Sequence, residues 1–288
     1  MKIGLIPCNV GVTNVDMMIK MAQTAEEVGL ESIWTFEHAL VPENYESAYP
    51  YSADGKMGAT PETNFVDPLI ALSAIAQHTK KLRLGTGVNI LPQSNPLMLA
   101  KQAASLDFVS GGRFMLGIGI GWLKEEFEAL GVPFERRGAR FADYVEAMRK
   151  VWSGDTVEHE SDFIKWTGFK SYPVPVQSPL PLIIGGSKKN ALKRVARYGQ
   201  GWYAPAASAD QVAALLPALD EACAAEGRDR STIEISTMYI PVMEPVEEAL
   251  PRYRDLGVER LIIPLQALGE KPMEGLARLG DDVLAKIN

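Results

Sequence analysis

Short apolar segments alternate with amphipathic segments along this chain, in the order expected of repeated strand–helix units. Lys2 to Pro7 and Ser32 to Phe36 are apolar runs of strand length. Between them, Asn14 can cap a helix whose apolar residues share one face, and Gly29 can end that helix. The pattern therefore predicts a strand–helix–strand unit in the first part of the chain.

The same alternation continues along the rest of the sequence. Asp67-Pro68 combines the capping side chain and the first-turn proline of a helix start. The further predicted elements are a strand from Leu82 to Val88, a helix from Asn95-Pro96 to Ser110-Gly111-Gly112, a strand and loop from Arg113 to Trp122, a helix from about Ala139 to Trp152, strands at Pro181 to Ile184, Gly201 to Tyr203, Ile233 to Ile240 and Arg260 to Pro264, helices that begin at Ser187, Asp210 and Val246, and a final helix that runs to the carboxyl end.

Eight such units without a break in composition predict an α/β fold, a closed (β/α)8 TIM barrel that forms one domain over residues 1–288. Crossovers between parallel strands are right-handed and cover the sheet with helices. An open doubly wound sheet is the alternative. It normally needs fewer strands, and Pro7-Cys8-Asn9-Val10-Gly11 after the first strand is not a dinucleotide fingerprint.

Two insertions interrupt the repeat, one after strand 2 and one after helix 4. Residues Glu37 to Phe65 follow a strand, so they belong to the face of the barrel where catalytic groups lie. Tyr45, Tyr49 and Tyr51 in this insertion could pack over a ligand. Residues Ser153 to Ser178 follow a helix and alternate apolar with polar positions, which indicates a small hairpin that would be a lid only if it folds back over the rim.

Composition excludes several classes of function. A formal charge of −7 over 288 residues argues against a nucleic-acid partner. The cluster Lys188-Lys189 with Lys193-Arg194 is expected to be a solvated helix face. Cys8 and Cys223 have no metal spacing, which favours a reducing compartment. No leader pattern and no apolar run of membrane-spanning length is present, so we expect a cytoplasmic protein without membrane contact.

Glycines cluster at the ends of two predicted strands. Gly117, Gly119 and Gly121 could form a smooth wall for a flat ring, and Trp122 beside them could stack on a ligand or fill the barrel rim. Gly185-Gly186-Ser187 joins a buried strand to a helix amino terminus, where free N–H groups and the helix dipole favour a phosphate.

His38 is the strongest candidate for acid–base chemistry. It follows the second strand, and Glu37 beside it could orient the imidazole and raise its affinity for a proton. His78 near a helix end is expected to be structural, and His159 in the second insertion is expected to be exposed. Three scattered histidines without ligand spacing indicate no metal site. Arg136, Arg137 and Arg140 could hold an anion, but bracing of the loop is the simpler interpretation.

Together these residues resemble the luciferase-like, flavin- or deazaflavin-dependent oxidoreductases over nearly the whole chain. The matching motifs are Trp34-Thr35-Phe36-Glu37-His38, Asp67-Pro68-Leu69, Leu82 to Val88, Leu99-Ala100-Lys101-Gln102, Leu106-Asp107, Ser110-Gly111-Gly112-Arg113, Gly117 to Trp122 and Gly185-Gly186. Within the family, the chain looks most like the short proteins assigned to the deazaflavin coenzyme F-420 (F420). Two phrases are typical of that group, Tyr49-Pro50-Tyr51-Ser52-Ala53-Asp54-Gly55 and Glu125-Glu126-Phe127-Glu128-Ala129-Leu130-Gly131-Val132-Pro133.

The resemblance implies a tricyclic ring at the barrel mouth. In relatives the third strand ends in a bulge with a cis peptide between non-proline residues, which maps to Gly87-Val88, and the phosphate loop maps to Gly185-Gly186-Ser187. The predicted cofactor-binding residues are Thr86, Gly87, Val88, Gly117, Gly119, Gly121, Trp122, Gly185, Gly186 and Ser187. One departure is that the sugar-phosphate dehydrogenase branch carries a catalytic Glu where this chain has Trp122, which argues against that substrate class.

The predicted function is hydride transfer between F420 and a small, fairly apolar molecule, with His38 as proton donor or acceptor and Glu37 as its orienting group. One alternative is an FMN-dependent monooxygenase that uses reduced flavin and O2. Another is a non-catalytic flavin-binding protein, against which the intact barrel and the Glu37-His38 pair argue. The resemblance also implies a homodimer.

Overall fold

A computed structural model of the protein describes residues 1–52, 54–205, 207–240 and 245–280. Its strands are Lys2–Ile6 (β1), Ser32–Thr35 (β2), Arg83–Thr86 (β3), Asn89–Ile90 (β4), Phe114–Gly119 (β5), Val157–Glu160 (β6), Lys165–Phe169 (β7), Leu182–Gly185 (β8), Gly201–Ala204 (β9), Glu234–Met238 (β10) and Arg260–Pro264 (β11). Its α-helices are Val15–Glu27 (α1), Pro68–His78 (α2), Pro96–Ser110 (α3), Lys124–Ala129 (α4), Arg137–Val151 (α5), Lys189–Tyr198 (α6), Ala209–Ala225 (α7), Val246–Asp255 (α8) and Pro272–Leu279 (α9).

The strands close into an eight-stranded parallel barrel, which confirms the predicted (β/α)8 fold. Around the barrel the strands pair in the order β1, β2, β3, β5, β8, β9, β10 and β11, and β11 closes on β1. The short β4 follows β3 and also pairs with β5, so β3 and β4 together occupy the third barrel position. The predicted strand from Leu82 to Val88 corresponds to β3, which ends at Thr86, and β4 lies just beyond the predicted range. The predicted last helix corresponds to α9, Pro272–Leu279, and its predicted continuation over residues 281–288 lies outside the described residues.

Local signals explain where the first helices begin. The side chain of Asn14 accepts a hydrogen bond from the amide of Asp16. Asp67 caps α2 by accepting from two backbone amides, and Asn95 does the same for α3. Each cap satisfies N–H groups that the first turn of a helix leaves unpaired.

The core has two layers. A larger one lies between the barrel and its helices. The smaller layer fills the barrel itself and consists of Ile6, Trp34, Met115, Ile183, Tyr203 and Ile262. Because these side chains plug the cylinder, a ligand can enter only at one of its two ends.

The two insertions differ in structure. The segment between β2 and α2 contains no helix or strand in its described residues and is tied to the barrel by a bridge between Val10 and Phe65. The second insertion forms the antiparallel hairpin β6–β7, as its alternation predicted. The hairpin lies along α5, and its turn reaches Arg136 through an ion pair with Asp162.

Candidate active site

Two connected cavities open at the carboxyl ends of the barrel strands. The larger has a volume of about 630 Å³ and the smaller about 330 Å³. The residues that line both are Tyr51, Gly87, Val88, Ile90, Trp122, Tyr203 and Pro205. A long ligand could therefore extend from one cavity into the other across this junction.

The floor of the junction is the break between β3 and β4. The peptide bond between Gly87 and Val88 is cis, as the family resemblance implied, and the Gly87 amide donates to the carbonyl of Thr35 at 2.8 Å. The Val88 side chain fits between two glycines, because a Cβ on Gly119 or Gly185 would lie 2.7 or 2.9 Å from its methyl groups. These glycines make room for Val88 at the ligand surface.

The glycines at the end of β5, the fourth barrel strand, allow close strand packing, and some of them also line the larger cavity. A Cβ on Gly117 would overlap the carbonyl oxygen of Thr86, and the Thr86 hydroxyl donates to the carbonyl of Gly117 at 2.7 Å. Thr86 and Gly117 line neither cavity, so their predicted contact with a cofactor has no support in this geometry. Gly119 and Gly121 do line the larger cavity.

The predicted anion loop also lies in the larger cavity, but its amides are used differently from the expectation. The amide of Gly186 is not free, because it donates to the carbonyl of Tyr203 at 3.1 Å. Helix α6 begins at Lys189 and not at Ser187. The amides of Ser187 and Lys188 make no hydrogen bond within the described part of the chain. They are the backbone donors left for an anion.

Basic side chains surround this loop. Lys188 and Arg194 line the larger cavity together with Arg137. Lys188 is exposed, as expected, but Arg194 is half-buried, so the expectation of a wholly solvated helix face was wrong for Arg194. Lys189 does face outwards, where it pairs with Glu221. No carboxylate lies within ion-pair distance of these three cavity-lining cations in the described ranges. Burial and the neighbouring Arg137 lower the pKa of Arg194, and its buried Nε has no partner among the described residues.

His38 lines the smaller cavity and is held by a residue that the sequence did not single out. Its Nδ1 lies 3.1 Å from Oε2 of Glu126, whose side chain is only 2% exposed. The other oxygen of Glu126 accepts from the amides of Ala39 and Leu40 at 2.6 and 3.2 Å. The edge of the imidazole also contacts Trp122, with ring centroids 6.1 Å apart.

Glu37 does not hold His38, contrary to the sequence-based expectation. Its carboxylate accepts hydrogen bonds from the side-chain amide of Asn89 and the backbone amide of Ile90, and so it fixes β4. Burial raises the pKa of Glu37 to about 7; its two hydrogen bonds oppose the rise, and the nearby Glu126 carboxylate adds to it. A cavity-lining carboxyl group with such a pKa can give or take a proton near neutrality.

The first insertion covers the junction with aromatic rings. Tyr45 and Tyr49 contact Trp122 edge to face, with centroids 5.7 and 5.1 Å apart. The carboxylate of Glu125 accepts from the amides of Glu46 and Ser47 and ties this insertion to α4. Trp122 therefore joins the cover to the cavity wall, a packing role that leaves it in contact with both cavities.

His78, His159 and the second insertion lie away from both cavities. His159 was expected to be exposed, but it is 7% exposed, stacks on Trp166 and has Nε2 2.9 Å from Oδ1 of Asp143. His78 bonds the carbonyl of Ala74, in line with a structural role. No residue of the hairpin lines either cavity.

The ranges that the structure describes also bear on metal binding and membrane insertion. Within them, no group of three or more His, Cys, Asp or Glu residues converges where a metal ion could bind. No described helix combines the length and apolar character needed to cross a bilayer.

The sequence analysis did not predict a place in the site for Glu126 or Tyr203. Glu126 is one of several acidic residues in a short charged helix, and nothing in its spacing points to a histidine 88 residues away. Tyr203 was assigned only to a strand. Its place at the carboxyl end of a barrel strand is the signal that could have found it.

The chain is similar to proteins of one family over almost its full length. The luciferase-like monooxygenase family matches residues 7–280. An uncharacterised protein of Mycobacterium tuberculosis is 31% identical over 243 residues, which is 84% of each chain. An F420-dependent glucose-6-phosphate dehydrogenase of Amycolatopsis mediterranei is 30% identical over 234 residues, covering 77% of this chain and 65% of the relative.

The fold is also similar to that of solved structures of other proteins. The structure of an F420-dependent secondary alcohol dehydrogenase in complex with an F420-acetone adduct superposes with a TM-score of 0.81 at 18% identity. The match covers 99% of this chain and 98% of the other. At that identity the likeness concerns the fold alone.

Proposed function

The chain belongs to the luciferase-like monooxygenase family, and from that premise we propose that it is an oxidoreductase that passes a hydride between F420 and a small, fairly apolar substrate. The observation that carries this proposal is one continuous space with two chemically different ends. Unpaired cations lie at one end, and His38 lies among apolar side chains at the other.

The larger cavity suits the phosphorylated part of such a cofactor. Ser187 and Lys188 offer unpaired amides, and Arg137, Lys188 and Arg194 offer charges that no carboxylate neutralises in the described residues. F420 carries a phosphodiester and glutamyl carboxylates, whereas FMN carries one phosphate. Three cations without a carboxylate at ion-pair distance therefore favour F420, and Arg137 and Arg194 would otherwise remain partly desolvated without a counter-charge.

The junction suits the ring, and the smaller cavity suits the substrate. A ring resting on Gly87 and Val88 would have His38 on its substrate side, with Met57, Phe65 and Met238 among the apolar residues around the substrate. When bound, the deazaflavin supplies the hydride acceptor or donor. His38 Nε2 takes the proton that an alcohol loses or returns it to a carbonyl oxygen, while Glu126 holds Nδ1.

An FMN-dependent monooxygenase is the second candidate. The observation that favours it is the cluster of aromatic rings of Tyr45, Tyr49 and Trp122 beside the junction, which would help to exclude water from a bound reduced flavin. The same cluster also suits hydride transfer, so cofactor identity decides between the two functions.

The test is a fluorescence titration of the purified protein with F420 and with FMN at low and high salt. We expect F420 to bind more tightly than FMN and to lose more affinity at high salt, because it meets more cations. Tight FMN binding without a response to F420 would reverse the order of the two functions. His38→Gln should retain cofactor binding and lose about 100-fold or more in turnover.

We also propose that the protein forms a homodimer through α2 and α3. These helices pack side by side and expose the large apolar side chains Ile70, Met98, Phe108 and Val109. Burial of such a face favours self-association. Light scattering should give the mass of two chains, and Phe108→Glu should shift it towards one.

A further inference from the structure

The hydroxyl of Tyr203 is buried at the cavity junction without a partner in the described residues. Tyr203 is 2% exposed and belongs to β9, and it lines both cavities. A buried hydroxyl that loses its hydrogen bonds to water and gains none costs free energy. A group in this state calls for a specific explanation.

Comparable buried groups in the same barrel do have partners. The hydroxyl of Thr86 donates to Gly117, and that of Thr237 donates to Ala204. Tyr253, also buried, donates to the carbonyl of Ala207 at 2.9 Å. Among the buried side-chain hydroxyl groups of the described residues, that of Tyr203 is therefore the exception.

The Tyr203 ring is held in place by Trp34 inside the barrel. It stacks on Trp34 with ring centroids 6.0 Å apart and planes 16° from parallel. The indole of Trp34 is itself held by a hydrogen bond to the Ser32 hydroxyl at 2.9 Å. The phenol therefore has little freedom to search for a partner within the protein, and its hydroxyl is a pre-positioned group.

The chemistry of the group limits what it recognises. Burial raises the pKa of the Tyr203 hydroxyl well above its usual value, with a further contribution from Tyr49 and Tyr51, so the group stays neutral and protonated at any working pH. A neutral O–H at an apolar junction is suited to a carbonyl oxygen, since it supplies one hydrogen bond without a buried charge.

We propose that the Tyr203 hydroxyl is a ligand-binding group that donates a hydrogen bond to a carbonyl oxygen placed where the two cavities meet. The inference rests on the proposed function and extends it, because it assigns a recognition group that neither His38 nor the cations provide. Two molecules could carry the oxygen. One is the pyrimidinedione edge of the cofactor ring, and the other is an apolar ketone or aldehyde substrate.

The experiment compares Tyr203→Phe with Tyr253→Phe, since each removes one buried phenolic hydroxyl and keeps the ring. In the absence of ligand, Tyr203→Phe should unfold at the same temperature as the wild type or higher. Tyr253→Phe should unfold about 2 °C lower because it loses a satisfied hydrogen bond. A comparable loss in Tyr203→Phe would mean that solvent alone already satisfies the hydroxyl, which would overturn the proposal.

Binding then distinguishes the two sources of the oxygen. The first arm titrates F420 and FMN, and the second titrates acetophenone and its isostere ethylbenzene into cofactor-loaded protein. A five- to tenfold loss by Tyr203→Phe in the first arm assigns the oxygen to the cofactor. A loss of that size for acetophenone but not ethylbenzene assigns it to the substrate.

The failures of the two proposals can be told apart. If the wild type binds neither F420 nor FMN, the proposed function is refuted and the inference with it. If the wild type binds a cofactor and Tyr203→Phe changes neither arm by more than twofold, the inference alone is refuted. Tyr253→Phe should match the wild type in both arms, since its hydroxyl is bonded away from the cavities.

Discussion

At the scale of single residues, the contact between His38 and Glu126 is the arrangement that best supports the proposed proton transfer. One oxygen of Glu126 is occupied by the amides of Ala39 and Leu40, so only the other faces His38 Nδ1. The carboxylate therefore favours the tautomer with its proton on Nδ1, which leaves Nε2 as an acceptor. This division of roles makes Glu126 a positioning residue.

The substitution Glu126→Gln should reverse that tautomer. The backbone amides of Ala39 and Leu40 would retain the amide oxygen of the glutamine, so its NH2 group would face Nδ1 and move the ring proton to Nε2. We expect turnover to fall by about 10- to 100-fold, because Nε2 then cannot accept a proton. Side-chain ¹⁵N NMR of His38 reports the tautomer directly.

Asp143→Asn is the matched control for this prediction. Asp143 also contacts a histidine, but it lies beside Nε2 of His159, and that pair is between α5 and the hairpin. The control should change the signals of His159 and leave turnover unaltered. An unchanged His38 tautomer in Glu126→Gln would contradict the positioning role.

Glu37 should make the stability of the protein depend on pH. Its pKa is raised from 4.5 to about 7 in the folded chain, so the folded state holds this proton more tightly than the unfolded state. The resulting stabilisation is complete below pH 4.5 and is lost as pH rises through about 7. Between about pH 5 and about pH 8, the wild type should lose about 2 kcal/mol more stability than Glu37→Gln.

Urea unfolding at the two pH values measures this difference. Glu128→Gln is the control, because Glu128 lies on α4 as an exposed carboxylate. Equal pH dependence in the wild type and Glu37→Gln would show that Glu37 titrates normally, and Glu37 would lose its standing as a second acid–base candidate.

At the scale of elements, the contact between β3 and β5 builds the floor of the site. Gly117 allows the Thr86 carbonyl to approach, and the following residues Gly87 and Val88 form the surface on which a ring can rest. Gly117 lines neither cavity but packs against Thr86, the residue before Gly87. Its substitution therefore tests whether strand packing supports the site.

Gly117→Ala should lower the free energy of unfolding by about 3 kcal/mol or more, because the new methyl group would overlap backbone that cannot rotate away. The control is Gly138→Ala in α5, where the nearest atom to the new Cβ would be 4.0 Å away. That change should be neutral or stabilising by a few tenths of a kcal/mol or more, since alanine favours a helix. Denaturant unfolding of both variants provides the comparison, and equal stabilities would contradict the packing argument.

Elements with strong local signals could be predicted from the sequence. The caps Asn14, Asp67 and Asn95 stand where helices begin, and each barrel strand is a short apolar run. Helix α4 was missed, because most of its residues are charged and no side chain caps it. Its position depends on the buried Phe127 and on Glu126, which are contacts made by the folded chain.

For the site, the sequence predicted which strand ends carry functional residues but not which side chains pair there. Strand ends indicated the neighbourhoods of His38 and of Gly185-Gly186, because parallel strands bring their carboxyl ends to one face. Partners across that face could not be predicted. The pairing of Glu37 with Asn89, and of His38 with Glu126, depends on how separate loops pack over the barrel, and neighbours in sequence were the wrong guide.

At the scale of the whole molecule, the two ends of the barrel have different tasks. The carboxyl ends of the strands carry the cavities, whereas the amino ends carry a buried charge network around Arg260. Arg260 is fully buried and donates two hydrogen bonds to Glu31, each 2.8 Å long. It also bonds Glu234, which in turn pairs with Lys2.

This network ties together the first residues of β1, β10 and β11, where the barrel closes. Burial opposes ionisation of Glu31, but the hydrogen bonds and charge of Arg260 outweigh it and lower the pKa of Glu31. The pair is therefore ionised in the folded protein. Its removal should affect closure of the barrel and not the chemistry at the far end of the strands.

Arg260→Met should lower the free energy of unfolding by about 3–5 kcal/mol, because it leaves the partly buried Glu31 and Glu234 near each other without their main counter-charge. Adding Glu31→Gln and Glu234→Gln to the same chain should recover part of that loss, since the uncompensated charges disappear. Cofactor affinity of the folded protein should stay within about twofold of the wild type, because the cavities lie at the opposite end of the barrel. Unfolding in guanidinium chloride and the F420 titration measure the two quantities separately, and a loss of affinity at unchanged stability would show that the two ends of the barrel are coupled.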